Sequence, residues 1–371
     1  MKIKILFLLS NFKSGGAETQ YGNLIKNIDR ARFEPVVGLI HYQGNCPSGE
    51  FLERFGDVKT IDFVRKGALD VGVIASIASY CKRNDVKIIQ SLLFMDNQIA
   101  KFAGLLSGVP AITSVRGEIG PLLGKRKTWF EFKTQFLSKK IVVNSFWLKD
   151  YLVKNGSRPE KVIAIHNGTD FQRYQCEKSR EALREEYGVS AEASVITIVA
   201  RLHPMKDHMT FLRSIELLIQ SGINVVALIV GDGEEREALE GFVSSQGMTD
   251  SVIFMGNVAA GVNEIYKLSD LVMLTSQWGE SFPNVLLEAM SAGVPVIASN
   301  ISAVGEIITD GENGYLVEKR DAKAFAERAK TLLDNPAIRS RFIENGKETV
   351  KRFTVGEMVS KFQNLYLSVV N

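Results

Sequence analysis

Two acidic residues in an apolar setting and one pair of cations define the chemistry this sequence could perform. The stretch Glu280-Ser281-Phe282-Pro283-Asn284-Val285-Leu286-Leu287-Glu288-Ala289-Met290 reads as a helix, with Pro283 suited to its first turn and Gly293 to its end. Its interior is apolar except for Asn284 near the start, Ser291 near the end and Glu288. Burying a lone carboxylate there is costly unless strong donors meet it. Vicinal sugar hydroxyls are such donors, since one ionised carboxylate accepts from both. Glu288 is therefore the candidate reader of a ribose diol; the alternative is that it reaches solvent or pairs with a buried arginine. Glu280, two or three residues before the helix, sits where a transferred sugar would lie. The N–H groups of Asn284 and Val285 between them can receive phosphate or sugar oxygens, and Phe282 and Pro283 belong to the same candidate donor-binding stretch.

Arg201 and Lys206 bracket Leu202-His203-Pro204-Met205 after the strand-like run Val195–Ala200. Two cations on one loop can clamp a diphosphate, arginine as a planar fork and lysine as a point charge. Neutralising a departing diphosphate in this way can stand in for a metal ion; the alternative is surface salt bridging. Gly231-Asp232-Gly233 and Gly256-Asn257-Val258 end two further strands, and Gly231, Asn257 and Val258 are placed to edge a nucleobase through main-chain groups. Near the N-terminus, Ser14-Gly15-Gly16-Ala17-Glu18 opens a helix, so Gly16 is either a phosphate approach or part of a plain tight turn.

The elements that must hold these residues are legible as short β-branched runs alternating with amphipathic stretches: Ile3–Leu9, Val36–Ile40, Val86–Ile89, Ala111–Val115, Ile141–Val143 and Val162–Ile165, then Val195–Ala200, Val225–Val230, Val252–Met255, Leu271–Thr275 and Val296–Ala298. Such alternation predicts parallel sheets covered by helices. The pattern restarts near residue 190, after the charged stretch Glu177–Tyr187, which predicts two doubly wound domains in tandem with ligands at the carboxyl ends of the strands in a cleft between them. Thr354-Val355-Gly356-Glu357 has capping-box spacing, and Met358, Phe362, Leu365, Tyr366 and Val369 then share one face of a terminal helix that must dock on something.

Composition narrows the classes. At 371 residues, 45% hydrophobic and 23% charged, the chain is neither a disordered tail nor a coiled coil. Cys46, Cys81 and Cys176 form no pairing framework or zinc motif, which predicts a reducing compartment. No run approaches a membrane span, and the apolar run Ile5–Leu9 is too short for a signal-peptide core, so a soluble cytoplasmic protein is expected. Residues 1–170 carry 25 Lys+Arg against 15 Asp+Glu, and the remainder 20 against 27. A basic half suits an anionic membrane surface or a phosphorylated acceptor, or is only a solvated surface; no nucleic-acid signature accompanies it.

Taken in order, S-G-G-A-E near the N-terminus, N-G-T-D at 167–170, V-A-R…K at 199–206, G-D-G at 231–233 and E-S-F-P-N-V-L-L-E-A-M-S-A-G-V-P-V-I-A-S at 280–299 resemble the retaining glycosyltransferases of family 4 over essentially the whole chain. The resemblance implies an α/β GT-B fold: an acceptor-binding Rossmann-like domain at 1–170, a nucleotide-sugar domain at 171–350, and a helix at 351–371 crossing back to the first domain. It also implies that Arg201 and Lys206 bind the donor diphosphate, Glu288 the ribose and Glu280 the transferred sugar, with Gly16 near the phosphate. Arg201, Lys206 and Glu280 are then the catalytic set. The implied reaction retains configuration, with the leaving phosphate taking the acceptor's proton and domain closure assembling the site. The donor is a nucleotide-diphosphate sugar, UDP being the family's usual base, and no cofactor is required.

Three departures stand out. The family's frequent histidine after the Val-Pro strand is absent from Thr113-Ser114-Val115-Arg116-Gly117-Glu118, so either Arg116 or Glu118 contacts sugar or acceptor, or the two serve an intradomain salt bridge. Ser281 replaces a glycine. Ser302-Ala303-Val304-Gly305 stands where a Gly-Gly pair often precedes the next glutamate, here Glu306. No D-x-D, H-E-x-x-H or clustered histidine suggests a metal.

Residues 124–140, G-K-R-K-T-W-F-E-F-K-T-Q-F-L-S-K-K, mix six basic residues with Trp129, Phe130, Phe132 and Phe136. The aromatics share a helical arc that also contains Lys133. Either this is a helix resting on anionic lipid, with Lys125, Arg126 and Lys127 near a lipid-linked acceptor such as a polyprenyl-diphosphate saccharide, or it is a core helix whose lysine snorkels. Two other functions compete with transfer: a nucleotide-sugar epimerase of the same fold, and a non-catalytic nucleotide-sugar binding protein.

Overall fold

The run Ile3–Leu9 (β1) is buried from Ile5 onward because it lies in the middle of a sheet covered on both faces. The computed structural model describes residues 2–370 except 11, 13, 14, 44, 46, 68, 69, 117–123, 259 and 260, with the Glu50 side chain also left out. The chain divides into two units, one made of residues 1–168 and 355–371, the other of residues 169–354.

In the first unit β1 pairs in parallel with β2 (Phe33–Tyr42) and β4 (Ile88–Ser91). With β3 (Lys59–Arg65), β5 (Ala111–Val115), β6 (Lys140–Val143) and β7 (Val162–Ala164) the sheet runs β3-β2-β1-β4-β5-β6-β7. The second unit contains β8 (Ser194–Val199), β9 (Val225–Val230), β10 (Val252–Gly256), β11 (Leu271–Leu274), β12 (Val296–Ser299) and β13 (Tyr315–Val317) in the order β10-β9-β8-β11-β12-β13, again all parallel. Each sheet reverses its direction of growth at its first strand. The loops leaving β8 and β11 therefore diverge toward opposite faces and leave a crevice at the strands' carboxyl ends.

Two strands have no counterpart in the sequence reading. β3 and β13 are edge strands, and edges are kept short or charged rather than apolar. Of the seven residues of β3 only Phe63 is buried, and β13 is three residues long. The charged stretch before residue 190 is not a linker: Ser179 caps the helix Arg180–Glu186 through the Ala182 N–H, and Leu183 anchors it in the second unit's core.

The terminal segment begins at Val355 rather than at residue 351. The turn Lys351–Phe353 stays with the second unit, where Phe353 meets Phe282 edge-on at 5.3 Å and its carbonyl accepts the Thr169 N–H at 2.8 Å. The helix Val355–Val370 then buries Met358, Val359, Phe362, Leu365 and Tyr366 in the first unit's core. Tyr366 packs edge-on to Phe7 and Phe33 with centroids 6.4 and 6.0 Å away, and the Gln363 side chain accepts the Asp29 N–H at 2.8 Å. The helix is amphipathic because it completes a core that residues 1–168 leave open.

Truncating the fully buried Phe362 to alanine leaves a cavity in that core; the expected loss is about 3–5 kcal/mol of stability, measured by chemical denaturation monitored on the first unit.

Candidate functional site

The loop after β8 is built to hold cations still. Leu202 is fully buried, and its N–H bonds the Asp232 carbonyl at 3.0 Å. His203 caps the turn Pro204–Lys206, its Nδ1 accepting the Met205 N–H at 3.1 Å. Asp207, in the left-handed region at φ 50°, caps the next helix, His208–Gln220, through Thr210. The buried Thr275 hydroxyl donates to the carbonyls of Lys206 and Asp207 at 3.1 and 3.0 Å, which ties this loop to the end of β11. His208 is buried beside Lys206; burial first, then that cation, pulls its pKa down to about 4, so the ring is neutral at physiological pH.

The structure brings Lys206 and Glu280 together. Lys206 Nζ forms an ion pair with Glu280 Oε1, and the buried Ser276 hydroxyl donates to the same oxygen at 2.5 Å. The Glu280 carbonyl accepts the Ala303 N–H at 3.2 Å. Arg201 differs from its neighbour: it is exposed, and among the described residues it makes no ion pair. The cationic loop thus offers one committed charge and one uncommitted one.

The helix of the Glu-x7-Glu stretch begins at Asn284, with Pro283 at its cap position rather than in its first turn. A proline cap presents no side-chain oxygen, so no side chain of the cap residue occupies the end of the helix dipole. Phe282 and Pro283 are buried, whereas Asn284 and Val285 are half-buried.

Glu288 corrects the expectation of a lone carboxylate. Its Oε2 accepts the hydroxyl of the fully buried Tyr266 at 2.9 Å, and Tyr174 bonds the same carboxylate. Burial raises its pKa, while the two tyrosines and Arg173 pull the other way. Burial, reinforced by Glu288, also raises the pKa of both tyrosines, so they remain donors. These residues escaped the sequence reading because a tyrosine 22 positions from its partner carries no local signal; Ser276, 4 positions before Glu280, has none either.

The glycine turns have a steric reason in addition to any contact with a base. Gly231 sits at φ 135°, and a Cβ there would lie 2.0 Å from the Ala200 carbonyl oxygen; one on Gly233 would lie 2.3 Å from that of Leu202. Only glycine lets the loop after β9 press against the cationic loop. Asn257 is exposed and Val258 half-buried at the end of β10.

In the first unit Gly16 opens the helix Gly16–Asn27, with Gly15 as its cap and the buried Glu18 folded back against Gly15. Arg116, just past β5, donates to Asn167 Oδ1. Among the described residues that amide is its hydrogen-bond partner. Burial lowers its pKa to about 10, with the hydroxyls of Tyr21 and Tyr366 opposing. The adjacent Gly168 N–H bonds the Gln20 side chain at 2.8 Å, so the N-G-T-D segment is tied to the first helix. Lys125, Arg126 and Lys127 are exposed on the helix Lys125–Thr134. Glu118 lies outside the described residues, as does Cys46; Cys81 is a buried thiol pushed up to about 12, and Cys176 is free.

The cationic loop and the helix terminus thus lie at the carboxyl ends of a doubly wound parallel sheet, and two family models match the chain. Residues 14–173 match the model described as Glycosyltransferase Family 4, and residues 179–349 match Glycosyl transferases group 1. The chain belongs to the family 4 glycosyltransferases and has the GT-B fold. Among its relatives is the N-acetyl-alpha-D-glucosaminyl L-malate synthase of Bacillus anthracis, 29% identical over 57% of this chain and 55% of that one. The match therefore spans about half of that relative's length. A second is the UDP-Gal:alpha-D-GlcNAc-diphosphoundecaprenol alpha-1,3-galactosyltransferase of Escherichia coli, 24% identical over 81% of this chain and 80% of the other. Among solved structures, Anabaena Alr3699/HepE in complex with UDP and glucose has the same fold, with a TM-score of 0.86 at 22% identity over 99% of this chain and 100% of that one.

Because the raised pKa of Glu288 favours the protonated acid in the folded state, stability from this group falls as pH rises through the interval between its unfolded and folded values. At neutral pH this group is therefore a cost, and Glu288→Gln is expected to raise the melting temperature of the ligand-free protein. The gain should shrink as the pH is lowered, which calorimetry at two pH values checks.

Proposed function

We propose that this chain transfers a hexose or N-acetylhexosamine from a UDP-sugar to a saccharide or lipid-linked saccharide, with retention of configuration and without a metal ion, in surface polysaccharide or glycan synthesis. The observation that carries this is the grouping at the β8/β11 crevice of an exposed Arg201, the Lys206–Glu280 pair and a helix start whose cap residue is proline. A diphosphate leaving group needs cations and N–H donors, and a hexose needs a carboxylate beside them. In our reading Arg201 takes the diphosphate first, Lys206 shares its charge between the diphosphate and Glu280, and Glu280 turns toward a sugar hydroxyl. Glu288, oriented by Tyr266 and Tyr174, turns its carboxylate to the ribose hydroxyls.

The acceptor oxygen attacks the anomeric carbon on the face from which the diphosphate departs. As the new C–O bond forms, the bond to the diphosphate breaks, and the acceptor's proton passes to a phosphate oxygen. The two cations balance the charge that accumulates there. The acceptor is assigned to the first unit, with Gly16 near the phosphate and Arg116 beside the sugar or acceptor. The donor named for the Escherichia coli relative, UDP-Gal, and the UDP of the Anabaena structure support UDP as the base, and the relative's diphosphoundecaprenol acceptor supports a lipid-linked one. Such an acceptor places the enzyme at the cytoplasmic face of a membrane.

A panel of nucleotide sugars, with and without saccharide acceptors, tests the proposal through nucleotide release. Acceptor-dependent UDP release is expected, with Arg201→Ala reducing turnover about 100-fold, Glu288→Ala weakening UDP binding about tenfold, and Cys176→Ala changing neither. Sugar interconversion without release, or binding without either, overturns the transferase reading.

A further inference from the structure

The helix Lys125–Thr134 is held by Phe132, which packs on the cluster around Val115 and Leu148, and by a set of buried polar groups. Glu131, the one acid in residues 124–140, is buried and pairs with Lys101 Nζ at 2.6 Å from the neighbouring helix Phe94–Ser107. Gln98 donates to its other oxygen at 2.5 Å, and Thr134 joins Lys101 and Gln98 at 3.2 and 2.8 Å. A buried pair satisfied on every side fixes two helices in one register. The consequence is that the opposite stripe of the second helix must face out.

That stripe is both oily and basic. Trp129 is 61% exposed, Phe136 65% and, on the neighbouring helix, Leu105 63%. Lys133 Nζ lies 6.0 Å from the centre of the Trp129 ring. Lys125, Trp129, Lys133 and Phe136 recur at helical spacing, and Arg126, Lys127 and Lys139 flank them. Leu105 and Phe136 line one groove of about 550 Å³, with Val369 also in its wall and Lys139 and Lys161 beside it. Lys161 is engaged, donating to the carbonyls of Phe136 and Ser138 at 2.8 Å each, so it shapes the groove while Lys139 stays exposed. With the only acid of the segment paired inside, the charged side chains that residues 124–140 leave outside are all basic.

We propose that this face, formed jointly by the two helices, is a preformed docking surface for an anionic lipid bilayer, with Trp129, Phe136 and Leu105 entering the headgroup layer and the lysines and arginine meeting lipid phosphates. Aromatic and aliphatic side chains interleaved with unpaired cations match the two attractions an anionic interface offers. An acidic protein would satisfy the charges and leave three large apolar side chains without a purpose. The inference deepens the lipid-linked acceptor reading above by naming the surface that brings the enzyme to its substrate.

Flotation with vesicles of phosphatidylcholine alone and of an equimolar mixture with phosphatidylglycerol, without donor, tests this. The full chain should float with the mixed vesicles only, and less as salt rises. Trp129→Ser with Phe136→Ser should reduce partitioning about tenfold, as should Lys125→Ser, Arg126→Ser and Lys127→Ser together. These side chains are exposed, so unchanged thermal melting confirms folded variants. Absence of wild-type flotation at low salt, or variants that float like the wild type, overturns the proposal. Turnover on a soluble acceptor is read separately, so loss of vesicle binding leaves the transfer reading standing, and absence of turnover leaves this one standing.

Discussion

A single ion pair organises the candidate site. Lys206 and Glu280 come from two loops 74 residues apart that leave neighbouring strands of the second sheet, and each would be costly to bury without the other. Ser276 and Thr275 hold the two ends in place from the same strand exit, one on the carboxylate and one on the backbone of the cationic loop. Parallel strand order makes this meeting possible, since only at the point where the sheet changes its direction of growth do two successive loops open a space between them. Asp207 is held from the same strand exit by Thr275, and the glycine turn after β9 packs against the backbone of Ala200 and Leu202 at the start of the cationic loop.

The second acidic residue tells a related story with a different ending. A carboxylate on an apolar helix face looks from sequence as though it were waiting for a ligand. In the structure Glu288 already has donors in Tyr266 and Tyr174, and its burial still raises its pKa. Such an arrangement orients one oxygen permanently and leaves the charge under-compensated, which is how a binding group can be rigid before its ligand arrives.

Interior strands were the most legible part of the fold, because a strand covered on both faces tends to read as a continuous apolar run, as β9 and β11 do. The edges β3 and β13 follow the opposite rule and left no such trace. At the site, residue type and position relative to strand ends pointed to Arg201, Lys206, Glu280 and Glu288. Their partners were invisible because hydroxyls of serine and tyrosine acquire meaning only when a distant chain segment arrives beside them. The segment 124–140 shows the limit most clearly: a helical wheel drew the eye to its aromatics, whereas its lone acid, paired with Lys101 across 30 residues, decides which side faces inward.

The return of the helix Val355–Val370 to the first unit has a bearing on how the chain is made. Phe7, Phe33 and Tyr21 belong to a core whose remaining wall is supplied by residues 355–370, made long after the strands they cover. A nascent polypeptide leaving the ribosome must therefore carry its earliest half unfinished while some 186 intervening residues fold. Biogenesis is thus not a simple march from one end to the other: the first unit closes only after the second has been synthesised, and until then its open core is exposed to aggregation or proteolysis.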